Sequence, residues 1–208
     1  MKKISDINAN TQQYWDSCYS DKIKRDAYAS GGTHIDAENI SLSTRFIRAI
    51  DEVEDGDTCL DIGCGVGVFT KMIKARFPNN EVWGTDISAQ ACKDNTFENP
   101  YIKYLCQVVG QQHDVPDNYF DFVFAGEILE HLDEPETLFN DAFRVLKGHG
   151  KFLVTTPYED KIGSNEHVWT FNHEDVEKLF LQAGFKNVNF IYLPRGEHFM
   201  VIMATGIK

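Results

Sequence analysis

Long apolar runs are missing from this 208-residue chain, and no stretch is long enough to span a bilayer. Lys2 and Lys3 are followed by no apolar run, so the N-terminus does not read as a secretory signal. Positive charge is scarce as well. The 20 Lys and Arg face 32 Asp and Glu, a net charge of −12, which argues against a broad footprint on a phosphate backbone. The cysteines, Cys18, Cys59, Cys64, Cys92 and Cys106, contain no C-x-x-C pair and are odd in number, so reduced thiols are expected. Repeats, low-complexity tracts and linkers are absent. What remains is an ordinary globular mix, 42% hydrophobic and 25% charged. Its length fits one α/β domain better than two. The expectation is a single cytoplasmic domain over residues 1–208, with 1–36 as a cap or lid and 37–208 as the core.

Thr58-Cys59-Leu60-Asp61-Ile62 reads as a buried strand. Gly63, Gly65 and Gly67 follow at alternate positions, and Phe69, Met72, Ile73 and Phe77 then recur at helical spacing. Strand, glycine turn and helix make the layout of a nucleotide-cofactor site. Glycine lets the backbone turn sharply beside a ligand, and N–H groups at the helix start face it. A dinucleotide fingerprint would need a glycine at position 68, where Val68 stands, which argues against an NAD-type oxidoreductase. Glu81-Val82-Trp83-Gly84-Thr85-Asp86 reads as a second strand. Asp86 falls where such folds set a carboxylate on ribose hydroxyls. Its rival role, capping the next helix, can be filled by Ser88.

A helix is expected around Asn8–Cys18, followed by an irregular stretch with Gly31-Gly32. Ile40, Leu42, Phe46, Ile47 and Ile50 pattern another helix over 37–51. Ile102–Cys106 and Tyr119–Gly126 read as strands. Pro135–Lys147 reads as a helix ended by Gly148 and Gly150, and Lys151–Thr156 as the next strand. Asn172 is a candidate N-cap with Asp175 in the first turn. Val188–Leu193 and Phe199–Thr205 lie close enough to pair as an antiparallel hairpin. Alternating strands and helices predict a mostly parallel sheet covered on both faces, with ligands beyond its C-terminal strand ends.

After the fourth strand comes Glu127-Ile128-Leu129-Glu130-His131. In a helical turn Glu127, Glu130 and His131 share a face. Two carboxylates and an imidazole suit either a divalent cation or a base held by a carboxylate.

Five stretches, Leu60–Gly67, Gly84–Ser88, Pro116–Asp121, Glu127–Leu132 and Leu146–Gly150, occur in an order that resembles the S-adenosylmethionine-dependent methyltransferases of the Rossmann-like class. The Glu127–His131 string resembles their ubiquinone-biosynthesis O-methyltransferases. The resemblance implies a three-layer αβα sandwich with seven strands, the last antiparallel, and S-adenosyl-L-methionine as cofactor. It implies Asp61, Gly63, Cys64, Gly65 and Gly67 around the methionine end, Asp86 on the ribose and Ile87 against the adenine. Gln111, Gln112 or His113 would close the adenine edge where the family usually has an acid. Glu127 would lie on the sulfonium side, and Glu130, His131 and His167 on the acceptor side. Small-RNA 2′-O-methyltransferases hold a metal on two Glu and two His, which map here to Glu127, Glu130, His131 and His167. The reading adopted assigns no metal. It expects O-methylation of a small molecule. RNA or sugar methylation and non-catalytic cofactor binding are the alternatives, and monomer and homodimer are both open.

Overall fold

The computed structural model describes residues 1–4, 10–21, 24, 40–111, 113–158, 166–195 and 199–208. Gln112, the Gly31-Gly32 stretch, His34, His198 and part of the loop 158–172 lie outside them.

The strand at the glycine turn is β2 (Thr58–Ile62). Cys59, Leu60 and Ile62 are all 0% exposed although they alternate in direction, because helices cover both faces of the sheet. β3 (Glu81–Asp86) and β4 (Lys103–Cys106) add to one side of it in parallel. β5 (Phe120–Gly126) and β6 (Leu146–Pro157) add to the other, also in parallel. β9 (Phe199–Ile207) pairs antiparallel with both β6 and β8 (Lys186–Arg195), giving the order β4-β3-β2-β5-β6-β9-β8. The predicted hairpin therefore forms, and its second strand lies inside the sheet.

The side chains sort into two cores. On β5, Val123 and Ala125, together with Phe120 on the far side of the register shift, join a core beneath α5 (Glu136–Val145) and α6 (His173–Ala183). Phe122 and Phe124 join a second core beneath α2 (Ile40–Ile50), α3 (Val68–Arg76) and α4 (Ala89–Glu98). This is the expected three-layer α/β architecture. The apolar periodicity of α3 holds, with Phe69 and Ile73 buried.

Two local expectations are corrected, and one element was not foreseen. Helix α5 ends at Val145, and Leu146 turns directly into β6, so Gly148 and Gly150 lie in the strand and cap no helix. His149, at φ 71°, takes the turn, and the register with β5 shifts there. The N-terminal helix α1, capped by Thr11, runs Gln12–Ser20, past the expected end at Cys18; the expected start at Asn8 lies outside the described residues. A two-stranded sheet not foreseen pairs β1 (Lys2–Lys3) with β7 (Trp169–Thr170). At α6 the expected Asn172 cap is a full capping box: Asn172 Oδ1 accepts from the Asp175 N–H at 2.9 Å, and Asp175 Oδ2 accepts from the Asn172 N–H at 3.1 Å.

Candidate functional site

The strand ends converge as the parallel topology requires. Beyond them lies a pocket of about 560 Å³ of open space, lined among others by Ile62, Gly63, Asp86, Ile87, Glu127 and His131. α1 contributes Trp15 and Tyr19 to the lining, the position a lid would take. Trp169 turns elsewhere, donating its indole N–H to the Leu132 carbonyl at 2.9 Å.

The glycine loop does less for a ligand directly than its pattern suggests. Gly63 and Cys64 donate their N–H groups to the Thr85 carbonyl at 2.8 and 2.9 Å, and Gly67 donates to the Cys64 carbonyl at 2.8 Å. The Gly65 N–H reaches Asp86 Oδ2 at 2.8 Å. These four amides thus lock the loop to itself and to β3. Glycine is required for a different reason. Gly65 sits at φ 52°, and a Cβ there would lie 2.9 Å from the Tyr19 hydroxyl. At Gly63, φ 74°, a Cβ would meet Ile128 Cδ1 at 2.5 Å. The glycines admit two side chains that line the pocket, Tyr19 and Ile128.

Two carboxylates, Asp61 and Asp86, are buried beside the glycine loop. Burial pushes Asp61 up to about 8, with the nearby Asp86 adding to the rise and Arg45 opposing it. Burial pushes Asp86 up to about 6, moderated by the N–H groups of Ser88 and Gly65 that it accepts. Ser88 caps α4 through its own hydroxyl, as expected, so Asp86 is not needed as the cap. Burial raises the Cys64 thiol well above its ordinary range, which suits a small packing side chain rather than a nucleophile.

The described residues expected at the adenine edge do not line the pocket. Gln111 is exposed and does not line the pocket. The chain turns away before it, because the Gly110 N–H goes to the Asp141 carboxylate and the Gln111 N–H returns to the Val108 carbonyl. Gln107, Val108 and Val109 line the pocket in its place. His113 is likewise exposed.

The Glu127–His131 string is not one helical turn. Glu127 has φ 55° and stands outside the short 3₁₀ turn Leu129–His131. A left-handed residue cannot continue a right-handed helix, so the predicted common face is broken. Thr155 holds Glu127 instead: its carbonyl accepts the Glu127 N–H at 2.9 Å, and its hydroxyl donates to Oε1 at 3.1 Å. Arg45 pairs with Oε2 at 3.5 Å. That arginine was not foreseen; nothing in its helical pattern separates it from a surface cation.

Glu130 and His131 are both buried. Glu130 Oε2 accepts from the Thr156 hydroxyl at 3.0 Å. Burial pushes its carboxyl up to about 7, the charge of Glu127 adding and His167 opposing. Burial also lowers His131, which favours the neutral imidazole. His131 Nδ1 lies 2.9 Å from the Glu166 carbonyl, and Nε2 lies 4.0 Å from Glu130 Oε1. His167 packs edge-on to His131 with ring centroids 4.9 Å apart. One donor atom each from Glu130, His131 and His167 falls within 4.8 Å of the others, a set that Glu127 does not join. The structure therefore brings Glu130, His131 and His167 together.

Residues 60–154 match the family of methyltransferase domains. A malonyl-[acyl-carrier protein] O-methyltransferase of Ilyobacter polytropus is 28% identical over 100 residues, covering 47% of this chain and 37% of that protein. A mitochondrial ubiquinone biosynthesis O-methyltransferase of Candida albicans is 30% identical over 108 residues, covering 50% and 33%. The matched stretch thus spans about a third of either relative. Among solved structures, a [4+2]-cyclase superposes with a TM-score of 0.77 at 16% identity, covering 95% of this chain and 96% of that one, which is a likeness of fold. Fold and family agree over residues 60–154, a little under half of the chain, which match methyltransferase domains of the Rossmann-like, S-adenosylmethionine-dependent class. S-adenosylmethionine is the cofactor of that class.

Proposed function

We propose that this domain methylates a hydroxyl oxygen of a small molecule, with His131 as the general base. One observation carries the reading: a buried imidazole lines the pocket with one nitrogen committed to a backbone carbonyl, which leaves the other as a proton acceptor.

The pocket's chemistry fits the cofactor. Asp61 and Asp86 are buried carboxylates whose ionisation a cationic, hydroxyl-bearing ligand would favour. Gly63, Cys64, Gly65 and Gly67 would border its methionine end and Asp86 its ribose. Ile87 would pack on the adenine, with Gln107 at the polar edge. Glu127 would face the positive sulfur. S-adenosylmethionine supplies an activated methyl group, so no protein nucleophile is required. The chain's own task is alignment and proton removal. His131 takes the hydroxyl proton at Nε2, and Glu130 beside it stabilises the imidazolium that results. His167 borders the same acceptor space.

A divalent cation is a second reading, favoured by the 4.8 Å grouping of Glu130, His131 and His167. Those donors would hold it, and its chemistry would be to ionise the acceptor oxygen.

The test is release of S-adenosylhomocysteine against catechols, sugar nucleotides, phosphorylated metabolites and short RNAs, with and without EDTA. The expected hit is a hydroxylated small molecule, unaffected by EDTA. His131→Ala should then lose about 10²–10⁴-fold in kcat. Full turnover by that variant would overturn the base. Quenching by EDTA would select the cation. Turnover of RNA or a polysaccharide alone would replace the acceptor class. Tight cofactor binding with silence throughout would point to a non-catalytic role.

A further inference from the structure

Three consecutive residues of α1 reach three different segments of the chain. The Tyr14 hydroxyl donates to Glu166 Oε1. Trp15 meets the His131 ring edge-on, with centroids 5.4 Å apart at 87°. Asp16 Oδ1 accepts from the Ser88 hydroxyl at 2.6 Å and from the Gln90 N–H at 3.0 Å. Glu166 is therefore engaged twice. Its side chain is held by α1, and its backbone carbonyl lies 2.9 Å from His131 Nδ1. Two residues on, the Val168 N–H donates to the Glu130 carbonyl at 2.8 Å, tying the same segment to the residue before His131.

A neutral imidazole has two tautomers, and the bond made by one nitrogen decides the state of the other. A carbonyl oxygen only accepts. The Glu166 carbonyl thus selects Nδ1–H and leaves the lone pair on Nε2. We propose that Tyr14 and Glu166 are positioning residues that fix the His131 tautomer: the Tyr14–Glu166 hydrogen bond keeps the Glu166 carbonyl on Nδ1. Because Tyr14 belongs to α1, the imidazole is set only while α1 lies across the pocket. Asp16 anchors the same helix to the start of α4, beside Asp86. One helix thus links the cofactor side to the imidazole. The functional weight of this clasp rests on the reading of His131 as the base.

The full-length protein, labelled with ¹⁵N-histidine and saturated with S-adenosylhomocysteine, gives the test by NMR of the imidazole nitrogens. His131 is assigned by the loss of its signals in His131→Gln. Wild type should show His131 as a single Nδ1–H tautomer. Tyr14→Phe and Glu166→Ala should move it towards a mixture of both. Glu166→Gln keeps an amide oxygen that accepts from Tyr14, and should resemble wild type. Protection of the fold by S-adenosylhomocysteine should be unchanged in Tyr14→Phe, which removes a single hydroxyl.

An unmoved His131 tautomer in Tyr14→Phe overturns the proposal, whatever Glu166→Ala does to folding. The two readings fail separately. Loss of turnover in His131→Ala with an unmoved tautomer leaves the base and removes the clasp. A moved tautomer with full turnover in His131→Ala leaves the clasp and removes the base. With an acceptor in hand, Tyr14→Phe should cut kcat about tenfold, well inside the ~10²–10⁴-fold contribution of a general base, with the KM for the cofactor unchanged.

Discussion

Between the sheet and its helices, Phe139, Phe152, Phe180 and Phe185 are each at most 2% exposed and pack ring against ring; Phe139, Phe152 and Phe185 all lie 5.0–5.5 Å from Phe180. At the C-terminal rim of the same sheet, Asp61, Asp86, Glu130 and His131 are almost as buried, at 9% exposure or less. The two regions share an environment and differ in what they put into it. Apolar rings gain from leaving water. Carboxyl groups lose by it, and the rise in the pKa of Asp61, Asp86 and Glu130 measures that loss. The interior is built for stability. The rim carries an electrostatic cost that a bound ligand can relieve, which is the usual mark of a functional site.

The interior can be broken most severely. Phe180 lies at 0% exposure, and β9 makes room for it with Gly206, where a Cβ would stand 2.6 Å from the Phe180 ring. Phe180→Ala leaves a hole that this tightly packed cluster cannot close. It should cost about 3–5 kcal/mol in urea unfolding. The affinity of the remaining folded protein for S-adenosylhomocysteine should not change, because Phe180 lies outside the pocket lining.

The rim should respond with the opposite sign. Asp61 has its folded pKa raised from 3.8 to about 8, so the folded state holds the proton more tightly than the unfolded chain. The penalty is absent below the unfolded value. It grows as pH rises from about 4 to about 8 and is complete above that. Asp86 acts in the same direction up to about 6. Asp61→Asn should therefore raise the melting temperature of the ligand-free protein, more at pH 8 than at pH 5. It should also lose part of the protection that S-adenosylhomocysteine gives wild type. A variant less stable than wild type at pH 8 would contradict the idea of a rim under electrostatic strain.

The two regions also differ in how far the sequence exposes them. The core was legible because its information is periodic and local: β5 alternates between its two faces, and α3 repeats Phe69 and Ile73 one turn apart. The glycine turn was nearly as legible, since glycines at 63, 65 and 67 and an acid ending the next strand are local signals. The Glu127–His131 string was legible in composition but not in geometry. Glu130, His131 and His167 come together, yet Glu127 leaves their face because Thr155, 28 residues on, holds it in a left-handed turn. Gln111 is lost to the pocket through a bond from its neighbour Gly110 to Asp141, 31 residues from that glycine. The Tyr14–Glu166 clasp spans 152 residues and leaves no periodic trace. Short-range patterns decide which elements form, whereas the rim is assembled by single long-range hydrogen bonds.

The smallest effect lies where neither region reaches. Asn172 closes the capping box at the start of α6, and both of its bonds are made within the first turn. Asn172→Ala removes the acceptor for the Asp175 N–H and leaves Phe180, further along the helix, in place. The cost should be about 1 kcal/mol, the usual value of an N-cap. It should appear as a modest drop in the urea midpoint, with cofactor affinity and turnover unchanged. Because Val168 and Trp169 tie the segment before α6 to Glu130 and Leu132 near the pocket, this variant also tests how insulated the rim is. A measurable fall in kcat would mean that the start of α6 transmits its position to His131, and the rim would then depend on local helix stability as well as on its long-range bonds.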